Sequence, residues 1–205
     1  MEFSELNRKR HKVARFSTEK VSVEAIKAIL NEAHYAPSGV NMQTWHFVIV
    51  DSEEKKTELA QEGRSLNKVQ IQNAPAVVVI FSDTKPAERL TEVLNTATVE
   101  NETQEKWLDR LKDHYIKEIG AFSPQYLSDY LALNTGLVSM NLMYAINDAG
   151  YKGNFILGFD KTPKINKILE IDERYRPELI IVFGHSEEIG TQHYRLPVDK
   201  IIDVK

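Results

Sequence analysis

No cysteine occurs anywhere in the 205-residue sequence. Disulfide staples, thiol nucleophiles, and zinc or iron–sulfur sites built on thiolates are therefore excluded. The expected setting is the reducing cytoplasm. Glycine is scarce, with nine residues, and Gly150, Gly153 and Gly158 have the wrong spacing for a Gly-x-Gly-x-x-Gly turn. There is no phosphate-loop Gly-Lys-Ser/Thr either, so a separate Rossmann nucleotide domain is not expected. The six histidines show no paired spacing on a helix, so no metal site is expected. No carboxylate pair stands out for general acid–base work. Ser38 follows a proline and lacks the upstream glycine of a nucleophile elbow. Nor does one sign of charge dominate: the formal net charge is -4, and the one basic run is Arg8-Lys9-Arg10-His11-Lys12. Nucleic acid is not an expected partner. The start, Met1 to Leu6, has no apolar signal core, so export is not expected. Tyr130 to Asn147 carries no charge and approaches membrane-spanning length. It also holds Asn134, Thr135, Ser139, Asn141 and Asn147, more polar groups than a lipid-facing helix would carry. It reads as a helix buried within protein, and no membrane association is expected.

What is present centres on Ala36-Pro37-Ser38-Gly39-Val40-Asn41-Met42-Gln43-Thr44-Trp45-His46-Phe47. Before it, Val23, Ile26, Ile29, Leu30 and Ala33 recur at helical spacing, with Ser22 placed as the N-cap. Pro37 stops that helix. After it, Phe47-Val48-Ile49-Val50 reads as a buried strand. The turn between is rich in hydrogen-bonding side chains, which suits a ligand presenting a flat edge of donors and acceptors. It equally suits an ordinary helix-to-strand connection. Further helices are expected over Phe3 to Ala14, Ser52 to Glu62, Leu66 to Gln72, Trp107 to Ile119 and Gln125 to Ala149, with a short one after Pro163. Further strands are expected over Ala76 to Phe81 and Glu178 to Gly184. Tyr151 to Phe159 reads as a glycine-spaced loop or short strand, and Val198 to Val204 as an edge or exchanged strand. Strands interleaved with longer helices give α/β or α+β. The helix of Gln125 to Ala149 is apolar almost all round. At about 1.5 Å per residue it is roughly 38 Å long, too long to hide inside a small monomer. A subunit interface, and hence a homodimer, is inferred. Arg10 and Arg195, far apart in sequence, could converge on one phosphate.

Four motifs occur in a fixed order: Arg10-His11, the 36–47 stretch, Ile156-Leu157-Gly158-Phe159, and Tyr194-Arg195-Leu196-Pro197. Together they resemble the nitroreductase family of FMN-dependent NAD(P)H oxidoreductases, over nearly the whole chain. The resemblance implies an α+β fold. Its central mixed or antiparallel sheet is surrounded by helices, and its C-terminal strand is exchanged in a homodimer. It implies one domain over residues 1–205, with a variable helical excursion at about 85–125. It implies two FMN sites between subunits, with NADH or NADPH as donor and a small-molecule oxidant as acceptor. By position, Arg10, His11 and Lys12 correspond to ribityl-phosphate and ring-edge contacts, and Arg195 to a late phosphate contact. Pro37, Ser38, Gly39 and Asn41 correspond to a loop lining the flavin from the partner subunit. Asn67 and Gln70 correspond to the pyrimidine edge, and Leu157 and Gly158 to the backbone that meets the reactive ring nitrogen. Trp107, Tyr115 and Phe122 are candidate walls of the substrate channel. No side-chain acid or base is assigned. This chain departs from the family pattern at Lys12, commonly serine, and at Ala14, commonly a cation. It departs again at Thr44, commonly proline, and at Leu157, a glutamate in some relatives. These departures leave room for a flavin-binding or sensing protein with little turnover. A third possibility is an interaction module without flavin.

Overall fold

The computed structural model describes residues 2–190 and 193–205. Helices α1 (Phe3–Lys9) and α2 (Val23–Ala33) precede strand β1 (Trp45–Ile49). Helices α3 (Glu53–Gln61) and α4 (Leu66–Asn73) lead to β2 (Ala76–Asp83). The excursion holds α5 (Pro86–Asn95), α6 (Glu102–Arg110), a π turn (Leu111–Tyr115) and α7 (Ile116–Gly120). Then come α8 (Pro124–Asp148), β3 (Lys152–Ile156), α9 (Pro163–Leu169) and β4 (Tyr175–Gly184). The four strands form one antiparallel sheet in the order β1-β2-β4-β3.

The sheet is the middle layer. On one face, Val78, Ile80, Ile181 and Phe183 pack with Ile26 and Ile29 of α2 and Val138, Leu142 and Ile146 of α8. On the other, Val77, Val79, Phe81 and Val182 pack with Leu59, Ile71 and Ile165 of α3, α4 and α9. Covered on both sides, β2 is apolar without alternation from Ala76 to Phe81. Ser22 caps α2 by accepting the Ala25 N–H at 3.1 Å. A third, smaller cluster of Met42, Leu90, Leu94, Leu111 and Ile119 ties the excursion to the turn before β1.

Several expectations are settled or corrected. The first helix ends at Lys9, not Ala14, because Arg10 already has extended backbone. The glycine-spaced segment is an edge strand, β3. Helix α8 is not buried all round in this chain: Leu133 is 66% and Leu137 41% exposed, while Leu131, Asn134, Val138 and Leu142 are buried. Residues 198–204 form no strand within the chain. Val198–Lys200 is a single 3₁₀ turn, and Val198, Ile201, Ile202 and Val204 are exposed.

Thr44 is buried, yet its Oγ1 meets no hydrogen-bond partner among the described residues. An orphan hydroxyl in an apolar setting costs about 1–3 kcal/mol. Thr44→Val keeps the shape and removes the hydroxyl, so chemical denaturation should show a gain of about 1 kcal/mol. A loss of similar size would mean that the hydroxyl is bonded.

Candidate functional site

The two ends of the chain meet at one cavity. Arg10 leaves α1 in extended conformation. Asn7, Arg8, Arg10, His11, His193 and Arg195 line a cavity of about 340 Å³. Lys9 is engaged by Glu5, and Arg15 by Glu188 at 2.8 Å. Among the described residues, Arg8, Arg10, His11, Lys12 and Arg195 have no carboxylate partner. A cavity lined by three guanidiniums and no acid has the donor chemistry of a phosphate site. Lys12 lines a neighbouring cavity of about 670 Å³ with Ala14, Arg15, Glu188 and Gly190. His193 borders both.

Two residues not singled out from sequence hold this end together. Gly190 has φ +80°, and a Cβ there would sit 2.4 Å from that of His11. Glycine alone lets the segment after β4 press against the cationic run. Glu188 accepts the Ala14 and Arg15 N–H groups at 2.7 and 3.1 Å, clipping the N-terminal segment in place. The Ala14 N–H, then the Arg15 guanidinium and N–H, hold its carboxyl below the usual 4.5. A group depressed in the folded state contributes fully above its unfolded value, and that contribution fades as pH falls through the folded one. Wild type is therefore expected to be more stable than Glu188→Gln at about pH 6, with the gap narrowing as pH falls below the ordinary carboxylate range. Urea midpoints across that range are the check.

Strand β3 links this cationic end to a second cluster. At its start, Lys152 Nζ donates to the Glu188 carbonyl at 2.6 Å. Past its end lie Leu157 and Gly158, after five strand residues that span roughly 16 Å. Asn67 Nδ2 donates to the Gly158 carbonyl at 3.0 Å, and the Arg64 N–H to the same oxygen at 2.9 Å. A Cβ on Gly158 would come within 2.5 Å of Asn67 Nδ2. Gln70 is buried, and its Oε1 accepts from Asn154 Nδ2 at 2.6 Å. The structure thus ties Asn67 to Gly158 and Gln70 to Asn154 of β3. The Gly158 N–H donates no hydrogen bond among the described residues, and the neighbouring Leu157 is 68% exposed. Nothing in the sequence marked Arg64 or Asn154.

The third part is the Pro37–Gln43 turn. Val40, Asn41 and Gln43 have φ of 45°, 57° and 47°. Non-glycine residues seldom adopt such angles, and a β-branched valine least of all. Backbone strain of this kind persists only where the surroundings enforce it, and it clusters at functional sites. Ser38 Oγ accepts the Gln43 N–H at 3.0 Å, closing the base of the turn. Asn134 Oδ1 accepts the Gly39 N–H at 2.9 Å. Pro37 and Asn41 are exposed. Among the described residues, no hydrogen bond joins this turn to Asn67, Gln70 or Gly158. The structure does not unite the two parts within one chain.

The three candidate channel residues all lie in or beside the excursion. Tyr115 and Phe122 pack against the third cluster beside Val40. Trp107 is 46% exposed, with its ring 6.1 Å from that of Tyr115. Phe122 instead forms a trio with Tyr126 and Tyr130, at 4.6 and 5.4 Å. Among the described residues, no three His, Asp or Glu side chains are grouped to hold a metal ion. No helix there is long and apolar enough to cross a membrane.

Comparison with known proteins gives the same outline. The model of the nitroreductase family matches residues 8–185. A candidate NAD(P)H nitroreductase of Streptococcus pyogenes is 40% identical over 99% of both chains. The structure of a nitroreductase family protein from Streptococcus pneumoniae superposes with a TM-score of 0.91 at 41% identity, covering 100% of both chains. A candidate nitroreductase from Exiguobacterium sibiricum, solved in complex with FMN, superposes at 0.89 with 32% identity, covering 100% of this chain and 98% of that one. With the family's motifs in order and its fold reproduced from end to end, the chain belongs to the nitroreductase family.

Proposed function

We propose that this oxidoreductase takes electrons from NADH or NADPH through bound FMN and passes them to a nitroaromatic, a quinone or a similar acceptor. The observation that carries the reading is the cavity that Arg10 and Arg195, from opposite ends of the chain, line together, with no acid among its lining residues. The donor set fits the cofactor. Arg10, His11 and Arg195 would hold its phosphate, with Lys12 beside them. Asn67 and Gln70 would meet the pyrimidine edge, and the unengaged Gly158 N–H the ring nitrogen. FMN supplies the hydride relay when bound. The protein's part is orientation and charge: guanidiniums and N–H groups stabilise negative charge as it develops.

In a homodimer, the exposed face of α8 would be covered and the C-terminal segment would reach across. The Pro37–Asn41 turn of one protomer would then line the site of the other. That arrangement explains why the turn stands apart from Asn67 and Gly158 within one chain. The exposed Leu157 gives the acceptor side an apolar wall, and Trp107, Tyr115 and Phe122 would border the entry. Donor and acceptor would use one pocket in turn, giving ping-pong kinetics.

The test is an absorbance spectrum of purified protein titrated with each nicotinamide under nitrogen. A yellow protein that bleaches, and regains colour with a quinone or nitro compound, is the expected result. Bleaching without reoxidation would point to a binding or sensing role. A colourless protein that takes up no FMN would overturn the proposal.

A further inference from the structure

We propose that Asn134 is a positioning residue that fixes where the Pro37–Gln43 turn sits, and through the turn how the flavin is held. The inference rests on the flavin reading above. Asn134 lies in the middle of α8 and is 3% exposed. Asparagine is a poor helix former, and a buried amide is costly unless both of its ends are bonded. Both are bonded here. Nδ2 donates to the Tyr130 carbonyl one turn back at 2.8 Å, and Oδ1 accepts the Gly39 N–H at 2.9 Å. An apolar residue would serve the helix and its packing better. What the amide adds is a fixed acceptor for one backbone N–H in the strained turn.

That N–H lies between Ser38 and the left-handed Val40. Tyr130, on the same side of α8, closes over the same point. A Cβ on Gly39 would fall 1.7 Å from Tyr130 Oη, so the phenol covers the glycine directly. The Tyr130 ring is in turn braced by Phe122 at 5.4 Å and Tyr126 at 6.0 Å. Burial raises the Tyr130 phenol above its ordinary value. The turn is thus held by Met42 in the third cluster, against which Tyr130 also packs, and by the Asn134 acceptor. Three left-handed non-glycine residues do not hold themselves. Without the Asn134 acceptor, the turn relaxes and the surface it offers to flavin moves.

The test compares wild type, Asn134→Leu and Asn134→Asp. The readouts are FMN affinity by fluorescence titration, visible circular dichroism of the bound flavin, and separate kcat and KM for the acceptor. Asn134→Leu should weaken FMN binding about tenfold, the size of one missing hydrogen bond, and alter the flavin dichroism. Asn134→Asp keeps an acceptor oxygen for Gly39 but loses the donor to the Tyr130 carbonyl, so it should fall between wild type and the leucine variant in affinity and band shape. Asn134→Ala carries the same expectations as the leucine variant should leucine prevent folding. A leucine variant, or the alanine variant in its place, with wild-type affinity and dichroism would overturn the proposal. Wild-type protein that binds no FMN would instead overturn the flavin reading itself.

Discussion

Arg195→Ala is expected to weaken FMN binding by about 1.5–3 kcal/mol, roughly 10- to 150-fold in Kd. The magnitude follows from the chemistry of the guanidinium that alanine removes. Facing a phosphate, it makes charge-assisted hydrogen bonds, often two in parallel. Among the described residues its one hydrogen bond is from Nη1 to the adjacent Tyr194 carbonyl, at 3.0 Å. It is exposed and makes no ion pair among the described residues, so the apo protein should unfold as wild type does. Arg195→Lys should fall between, since a lysine keeps the charge and loses the fork. Added salt should shrink the gap between wild type and variant, because an exposed charge is screened. Riboflavin is the control. It lacks the phosphate, so both proteins should bind it equally. An unchanged Kd for FMN, or an equal weakening for riboflavin, would remove Arg195 from the phosphate site.

The elements that sequence located well are those whose neighbours lie close in the chain. The α2 face, the unbroken β2 and the cap at Ser22 are set by periodicity and local hydrogen bonds. Asn67 and Gln70, on one helix, reach β3 and the residues just past it, where they bond Gly158 and Asn154. The parts not legible depend on partners across long separations. Glu188 looks like one more surface acid until the fold sets it against Ala14 and Arg15. Gly190 carries no signal until its φ and its approach to His11 are known. Asn134 reads as a polar interruption in an apolar helix, because its partner Gly39 lies 95 residues away. Residues 198–204 show weak alternation, but a strand needs an edge to pair with, and within the described chain this segment pairs with none. The same reasoning explains α8. Its all-round apolarity was visible in sequence, and the exposed Leu133 and Leu137 show which side this chain leaves uncovered.

The largest loss of stability is expected from Asp83→Asn, at about 3–5 kcal/mol, or roughly 10 °C or more in Tm for a chain of this size. Asp83 ends β2 and is fully buried. Its carboxylate accepts two parallel bonds from Arg174, Nε and Nη2 each at 2.7 Å, and one from Arg89 Nε at 3.2 Å. It also accepts the Lys85 N–H at 2.9 Å, starting α5. The guanidinium of Arg174 is stabilised in its charged form, first by the Asp83 hydrogen bonds. Desolvation makes an intact buried pair worth little net, yet removing one member strands the other. Asparagine keeps the shape and an acceptor for Lys85, so the loss isolates the charge. The effects should be graded. Arg174 and Arg89 both reach Glu92, so each cation retains an outer partner. Arg174→Met should cost about as much as Asp83→Asn, because it strands a carboxylate with no exposure beside Arg89 alone, and Arg89→Met should cost less, because the paired fork from Arg174 stays intact. A double-mutant cycle over Asp83 and Arg174 should return a coupling within about 0.5–3 kcal/mol. The site should feel this loss only indirectly. The Asp83 N–H donates to the Thr44 carbonyl at 2.7 Å, one residue beyond the strained turn. A looser β2 end should weaken FMN binding less than Asn134→Leu does, while lowering Tm more. Equal stability of Asp83→Asn and wild type would mean that Arg174 and Arg89 find full compensation in Glu88 and Glu92, and that the fork to Asp83 contributes nothing net.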